Sequence, residues 1–265
     1  MSGTLDSVNT PDIDELFHQT LRGEYEDDAP WEALHHLRRI GTRDVFHRAV
    51  DWSRSSDPLR RARGCDVLSQ LGKTADHPTN NFPEECYLAV YDVVLHETES
   101  RPLGSAIAAL GHIGDPRAIP LITATSKHPD RIVRFDVACA LGCFPNDQAS
   151  VIALLALTED DDDDVRDWAT FGLGVLGDSD SKEIRDALFR RLSDSNDDVR
   201  EEAMAGLGKR KDPCLLPTLL EALKQRGDFY RVREAAYSML GMQSDREDWS
   251  AADYAAALRE AYPNP

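Results

Sequence analysis

Seven leucines, Leu37, Leu68, Leu110, Leu141, Leu173, Leu207 and Leu240, recur 31, 42, 31, 32, 34 and 33 residues apart, and all but the first two are followed directly by glycine. Self-similarity at a period of about 20–50 residues marks a unit that cannot bury its apolar face alone and must stack on its neighbours. The period therefore constrains this chain to a repeat array rather than a globule around one central core.

Three copies define the unit: Val133-Arg134 to Leu141-Gly142, Val165-Arg166 to Leu173-Gly174, and Val199-Arg200 to Leu207-Gly208. With the valine as position zero, positions 0, 4, 8 and often 11 are apolar. At about 100° per residue these gather on one face of an α-helix, whereas a strand would scatter them. Position 4 is small except for one valine (Ala33, Gly64, Ala106, Val137, Ala169, Ala203, Ala236), so a second helix can approach closely there. A capping acceptor is expected ahead of each template helix, at Asp28, Asp57, Ser100, Asp130, the Asp160–Asp164 run, Asp197-Asp198 and Asp228. Between the template helices lie segments with apolar spacing of their own, such as Ile13/Leu16/Phe17/Leu21, Leu88/Val90/Tyr91/Val94/Leu95 and Ile152/Leu154/Leu155. Several open at proline, as in Asp115-Pro116 and Asp212-Pro213.

The expected fold is all-α: an α-α superhelix, or solenoid, of about seven helical hairpins closed by a C-terminal helix. A tail over 1–10 precedes one array over 11–265, with units near 11–41, 42–72, 83–114, 115–144, 145–177, 178–211 and 212–244. The long spacing of 42 reflects a loop inserted at 73–83. The closing helix is placed at 250–262, from its Ser-x-x-Asp start and the spacing Tyr254/Ala255/Leu258/Tyr262.

The motif D-x-V-R-x-x-A-x-x-x-L-G, as it stands at Asp163–Gly174 and Asp197–Gly208 and less completely around Arg134 and Arg233, resembles the HEAT repeat, in the short form named after phycobilisome-lyase HEAT-like proteins. The resemblance covers nearly the whole chain. It implies an armadillo-type solenoid in which the second helix of each hairpin lines the concave side. It also implies that the template arginines, Arg61, Arg134, Arg166, Arg200 and Arg233, form a structural ladder from one repeat to the next, interrupted in the third unit, where Leu103 stands instead.

Charge bounds the partners. Forty-eight acidic against thirty basic residues give a formal net charge of −18, which opposes binding to phosphate backbones and favours a basic protein or peptide. No signal peptide and no apolar run near the length of a membrane span are found, so a cytoplasmic protein without membrane contact is expected. The five cysteines form no C-x-x-C pair and read as reduced core or groove thiols.

Enzymatic readings find little support in the residues. Deoxyhypusine hydroxylase, which is similar to this repeat architecture, uses His-Glu pairs at positions 2 and 3 of template helices to hold two irons. Here those positions read Trp31-Glu32, Ala62-Arg63, Gly104-Ser105, Phe135-Asp136, Asp167-Trp168, Glu201-Glu202 and Glu234-Ala235, and the single His-Glu, His96-Glu97, lies alone. No residues point to a tetrapyrrole site of the bilin-lyase kind. The Asp160–Asp164 run lacks the spaced ligands and glycine of a calcium loop and reads as a helix cap, and His35-His36 lacks companion ligands. No metal site and no cofactor are expected.

One pattern rises above the repeat. If positions 0, 4 and 8 face inward, positions 2 and 6 face away with 3 at the border, and over the last four units that stripe reads Phe135, Asp136, Cys139, Asp167, Trp168, Phe171, Glu201, Glu202, Glu234 and Ser238. Rings bordered by carboxylates suit a partner presenting Arg or Lys beside apolar side chains. The expected function is a non-enzymatic scaffold, adaptor or inhibitor binding a basic protein through this surface. The alternative is a HEAT-type enzyme such as a bilin lyase or isomerase, or a metal-dependent hydroxylase.

Overall fold

A computed structural model describes residues 12–227 and 229–263. The expected tail over 1–10 and the cap at Asp228 lie outside the described residues. Every regular element among the described residues is helical, and the chain divides into two compact units, Met1–Asp115 and Pro116–Pro265.

In the first unit three hairpins stack: α1 (Ile13–Gln19) with α2 (Asp28–Ile40), α3 (Arg43–Ser53) with α4 (Pro58–Ser69), and α5 (Pro83–His96) with α6 (Ser100–Ile113). The template helices α2, α4 and α6 pack on one another in that order. Gly64 shows why a small residue is needed at position 4, since a Cβ there would stand 2.5 Å from the Ser53 nitrogen and 2.6 Å from the Ala49 carbonyl oxygen of α3. The loop before α5 folds back on the first hairpins: Asn80 donates to the Leu68 carbonyl at 2.8 Å and Asn81 to that of Gly41 at 2.8 Å.

In the second unit α7 (Ile119–Ala124) precedes α8 (Arg131–Gly142), α9 (Gln148–Leu157) precedes α10 (Asp163–Phe171), α11 (Lys182–Arg191) precedes α12 (Asp197–Lys209), and α13 (Leu216–Arg226) precedes α14 (Tyr230–Met239). The last turns after α10 widen to π geometry over Gly172–Leu176. Helix α15 (Ala251–Ala261) closes this unit on α13 and α14, with a reciprocal cap between Ser250 and Asp253 and with Tyr254 fully buried.

The template positions behave as their spacing requires. Val133, Val165, Val199 and Val232 are all buried, as are the template leucines from Leu37 to Leu207. Each such leucine contributes about 1.5–3 kcal/mol by leaving water. Leu240 is only half-buried, because α14 ends at Met239 and Leu240 is its C-cap. In the first helices the apolar spacing overstates burial. Leu88, Leu95, Ile152 and Phe189 are exposed, and α5 instead buries Cys86, Tyr87, Ala89, Val90, Val93 and Val94.

Several caps differ from expectation by one residue. Asp57, Asp130 and Asp162 accept from the opening N–H groups of α4, α8 and α10, but the cap of α12 is Asn196, that of α2 is Asp27 and that of α6 is Glu99. Asp28 and Asp197-Asp198 lie inside the first turn, where a carboxylate still meets the positive end of the helix dipole.

Three of the five template arginines reach forward to the turn of the following hairpin and Arg233 reaches the segment before α15, whereas Arg200 departs from the expected ladder by bonding Asp197 of its own helix and the Asp194 carbonyl before it. Arg61 grips Glu97 with two bonds (2.6 and 3.1 Å), Arg134 grips Asp160 (2.7 and 2.8 Å), Arg166 grips Asp194 (2.9 and 3.0 Å) and Arg233 grips Asp245 (2.7 and 2.8 Å). Within the second unit the rungs interlock: Arg166 also donates to the Asp160 carbonyl at 2.9 Å, and Arg200 to the Asp194 carbonyl at 2.6 Å. Planar, two-pronged pairs of this kind fix orientation as well as distance.

Candidate functional site

The aromatic members of the stripe meet in the second unit. Trp168 on α10 stands edge-on to Phe135 of α8, with ring centroids 6.0 Å apart at 81°, and to Phe171 one turn on, at 5.7 Å and 89°. Edge-to-face contacts of this kind are favourable beyond their buried area. Phe135 and Phe171 are half-buried, while Trp168 keeps 38% of its surface open.

The neighbouring carboxylates are under electrostatic load. Burial, with Asp198 and Asp164 adding repulsion and Arg231 relieving some of it, pushes Asp167 up to about 6. Burial also raises Glu202 to about 7, opposed by Arg231 and reinforced by Asp167 and Glu234. Asp167 Oδ1 and Glu202 Oε2 are buried without a hydrogen-bond donor, an arrangement that costs about 1–3 kcal/mol per group.

Arg231 is the residue that sequence reasoning missed. Its Nε donates to Glu202 at 2.9 Å, its Nη1 to Glu234 at 2.5 Å, and its guanidinium carbon lies 5.3 Å from the Phe171 ring centre. The signal was a departure from the repeat: the two residues before the template valine are Asp163-Asp164 and Asp197-Asp198 in the two preceding units but Tyr230-Arg231 here. Phe229 and Tyr230 add exposed rings at the start of α14.

The expected site residues thus divide. Phe135, Trp168, Phe171, Asp167, Glu202 and Glu234 are joined through ring contacts and through Arg231. Asp136 is half-buried on α8 beside Phe135. Glu201 is buried and lies 2.9 Å from Nη2 of Arg226, a residue of α13, the first helix of the next hairpin, which ties it to packing between neighbouring hairpins. The approach is at ion-pair distance without hydrogen-bond geometry, since Glu201 Oε1 has no directed donor.

The corresponding positions of the first unit are occupied by the chain itself. Tyr25, from the turn between α1 and α2, donates to Asp66 at 2.6 Å and lies 2.8 Å from the Ser105 hydroxyl. Its ring sits between the guanidinium groups of Arg63 (3.9 Å) and Arg101 (4.4 Å), edge-on to Trp31 at 6.0 Å. Arg63 is fully buried and donates to the carbonyls of Thr20 (3.0 Å) and Tyr25 (2.7 Å), while Arg38 donates to the Asp66 carbonyl. Burial drives the Tyr25 phenol well above its ordinary range, with Asp66 adding to the effect.

Other residues singled out in the sequence also make structural contacts. The Asp162, Asp163 and Asp164 carboxylates lie close enough to share a cation, yet Asp162 caps α10 and both Asp162 and Asp164 approach Arg131 (3.5 and 3.7 Å). Glu97 of the single His-Glu pair is held by Arg61. No helix among the described residues is long and apolar enough to cross a membrane.

Comparison with known proteins agrees with this architecture. Protein YibA of Escherichia coli (strain K12) is 27% identical over 206 residues, covering 76% of this chain and 71% of that protein. The X-ray structure of the Escherichia coli YibA protein superposes with a TM-score of 0.69 at 23% identity, over 94% of this chain and 93% of that one. Human deoxyhypusine hydroxylase aligns at 17% identity over 87% of this chain and 95% of its own, with a TM-score of 0.35. A family model for HEAT repeats matches residues 94–174 and 172–241, more than half of the length. The chain belongs to the HEAT-repeat family.

Proposed function

We propose that this protein is a non-enzymatic binding module, acting as scaffold, adaptor or inhibitor, whose stripe in the second unit receives a basic protein or peptide. The observation that carries this reading is Trp168, a large ring 38% open to solvent on a template helix, next to Asp167, which burial and the neighbouring acids push up to about 6 and whose Oδ1 lacks a hydrogen-bond donor. Rigid rings that remain accessible make good anchors, because little side-chain entropy is lost on docking. The net charge of −18 would speed the approach of a cationic partner. An acidic protein that sequesters a basic one, as immunity proteins do with basic toxins, is one concrete form.

The test is replacement of Trp168 and Phe171 by alanine, with affinity capture and melting measured together. Loss of capture at an unchanged melting temperature supports the stripe as a docking surface. A large drop in melting temperature with capture intact sinks it. The enzymatic alternative predicts a different result, namely bound bilin or iron detected by intact mass and altered absorbance after mixing.

A further inference from the structure

The second unit already shows what its stripe holds. Arg231 lays its guanidinium against Phe171 and bridges Glu202 and Glu234, so one arginine meets a ring and two carboxylates at once. It does so from the position just before the template valine of α14. One repeat earlier that same position is Asp198 on α12, and the template helix it adjoins, α10, offers Asp167 and Trp168 at positions 2 and 3. Where the later repeat supplies a cation, the earlier one supplies a further anion: beyond burial, Asp198, Asp164 and Asp163 all raise Asp167, and Arg231 of the later repeat opposes them.

Resting on the binding function proposed above, we propose that Asp167 and Trp168 form a guanidinium subsite, which takes an arginine side chain of the partner in preference to lysine. The choice follows from shape. A guanidinium is planar, stacks on an aromatic ring and directs paired N–H groups at a carboxylate, whereas an ammonium is a compact, strongly hydrated point charge that gains less from the ring. Asp167, the residue before Trp168 on α10, supplies the carboxylate, and the surrounding acids supply the field. The partner is thus a protein or peptide segment with an exposed arginine beside apolar residues, the chemistry that Arg231, Tyr230 and Phe229 present within the chain itself.

The full-length protein is titrated with fluorescein-labelled deca-arginine, deca-lysine and deca-citrulline at physiological salt, reading peptide anisotropy, with tryptophan emission of the wild type and of Trp168→Phe compared to isolate Trp168. The expected result is at least fivefold tighter binding of deca-arginine than of deca-lysine, a change in Trp168 emission, and no binding of the neutral citrulline peptide. In Trp168→Ala the arginine-to-lysine ratio falls to about one, and Asp167→Asn weakens deca-arginine at least tenfold. Equal affinity for the two cationic peptides in the wild type overturns the arginine preference while leaving a general cation-binding stripe. Arginine-selective binding that neither variant changes places recognition elsewhere and overturns the subsite. Failure of both cationic peptides to bind the wild type removes the subsite and the basic-partner reading together. The wild-type comparison of peptides does not depend on either variant folding.

Discussion

The two units present the same template positions and treat them in opposite ways. In the first, Tyr25 is driven between Arg63 and Arg101, hydrogen-bonded to Asp66 and Ser105, so the face is closed by a turn of the same chain. In the second, Trp168 stands partly open among carboxylates, and Arg231 fills only the neighbouring place. The lesson is that a repeat sets where such a face lies, while a few residues outside the template decide whether it is sealed. The first unit turns its polar groups into internal contacts, and the second leaves Trp168 partly open to solvent.

The sharpest way to break this comparison is Arg63→Ala. A fully buried guanidinium that holds the Thr20 and Tyr25 carbonyls and faces Asp66 should cost about 3–5 kcal/mol when removed, since Asp66 and the two carbonyls lose a partner inside the protein. Equilibrium urea unfolding followed at Trp31 and Trp52 would measure it, and a loss below 1 kcal/mol would mean that the first face is not sealed by this network. Tyr25→Phe is milder. It keeps the ring and removes the phenol that donates to Asp66, for an expected loss of about 1–3 kcal/mol on the same measurement.

The acid response should distinguish the stripe from the ladder. Asp167 and Glu202, with ordinary values of 3.8 and 4.5, sit at about 6 and about 7 in the folded protein. A raised folded value means that their contribution is fully present below about pH 4 and is lost as pH rises through 6 and 7, so stability should increase on going from pH 8 to pH 5. After allowing for solvent screening of these part-exposed groups the gain is about 1–2 kcal/mol. Asp167→Asn with Glu202→Gln should flatten it. The ladder has the opposite sign. Burial alone would raise Asp194, but the bonds from Arg166 and the Asn196 N–H outweigh it and leave the carboxyl low, as Arg134 and the Asp162 N–H do for Asp160. Their contribution is present above about pH 4 and lost as pH falls below it. Urea midpoints from pH 3 to pH 8 should therefore pass through a maximum near pH 5, and a steady decline from pH 8 downward would contradict the raised values of Asp167 and Glu202.

The smallest expected stability effect belongs to Trp168→Ala. With 38% of its surface in water and edge contacts to two neighbours, the loss should be about 1–2 kcal/mol. A loss above about 3 kcal/mol in thermal unfolding would show Trp168 to be a packing residue like Tyr25, and the contrast between the units would vanish.

The hairpins and their inward faces were legible because the 0, 4, 8 spacing is local and repeats in register, and burial of the template valines and leucines follows from it. The cap of α12 slipped by one residue because Asn196, an acceptor just ahead of the Asp197-Asp198 pair, takes the opening N–H groups. The Tyr25 network was illegible for a different reason: Asp66 is 41 residues away and Ser105 is 80, and no other repeat carries a counterpart to reveal the contact. Positions 2, 3 and 6 hold the ring cluster, but Arg231 stands one residue before the template valine, outside the periodic positions, and so carries no repeat signal. Glu201 shows the limit of helical geometry alone, because the neighbouring first helix supplies Arg226 to draw it away.

The interlocked rungs of the second unit also bear on how it would yield to force. Asp160 is clasped through its carboxylate by Arg134 and through its carbonyl by Arg166, and Asp194 likewise by Arg166 and Arg200. Tension applied at one end meets a single clasp before the next comes under load. Drawn out between two tethers, this part of the molecule would lengthen hairpin by hairpin in a sawtooth of modest peaks, giving way gradually where a globular domain of similar size would snap.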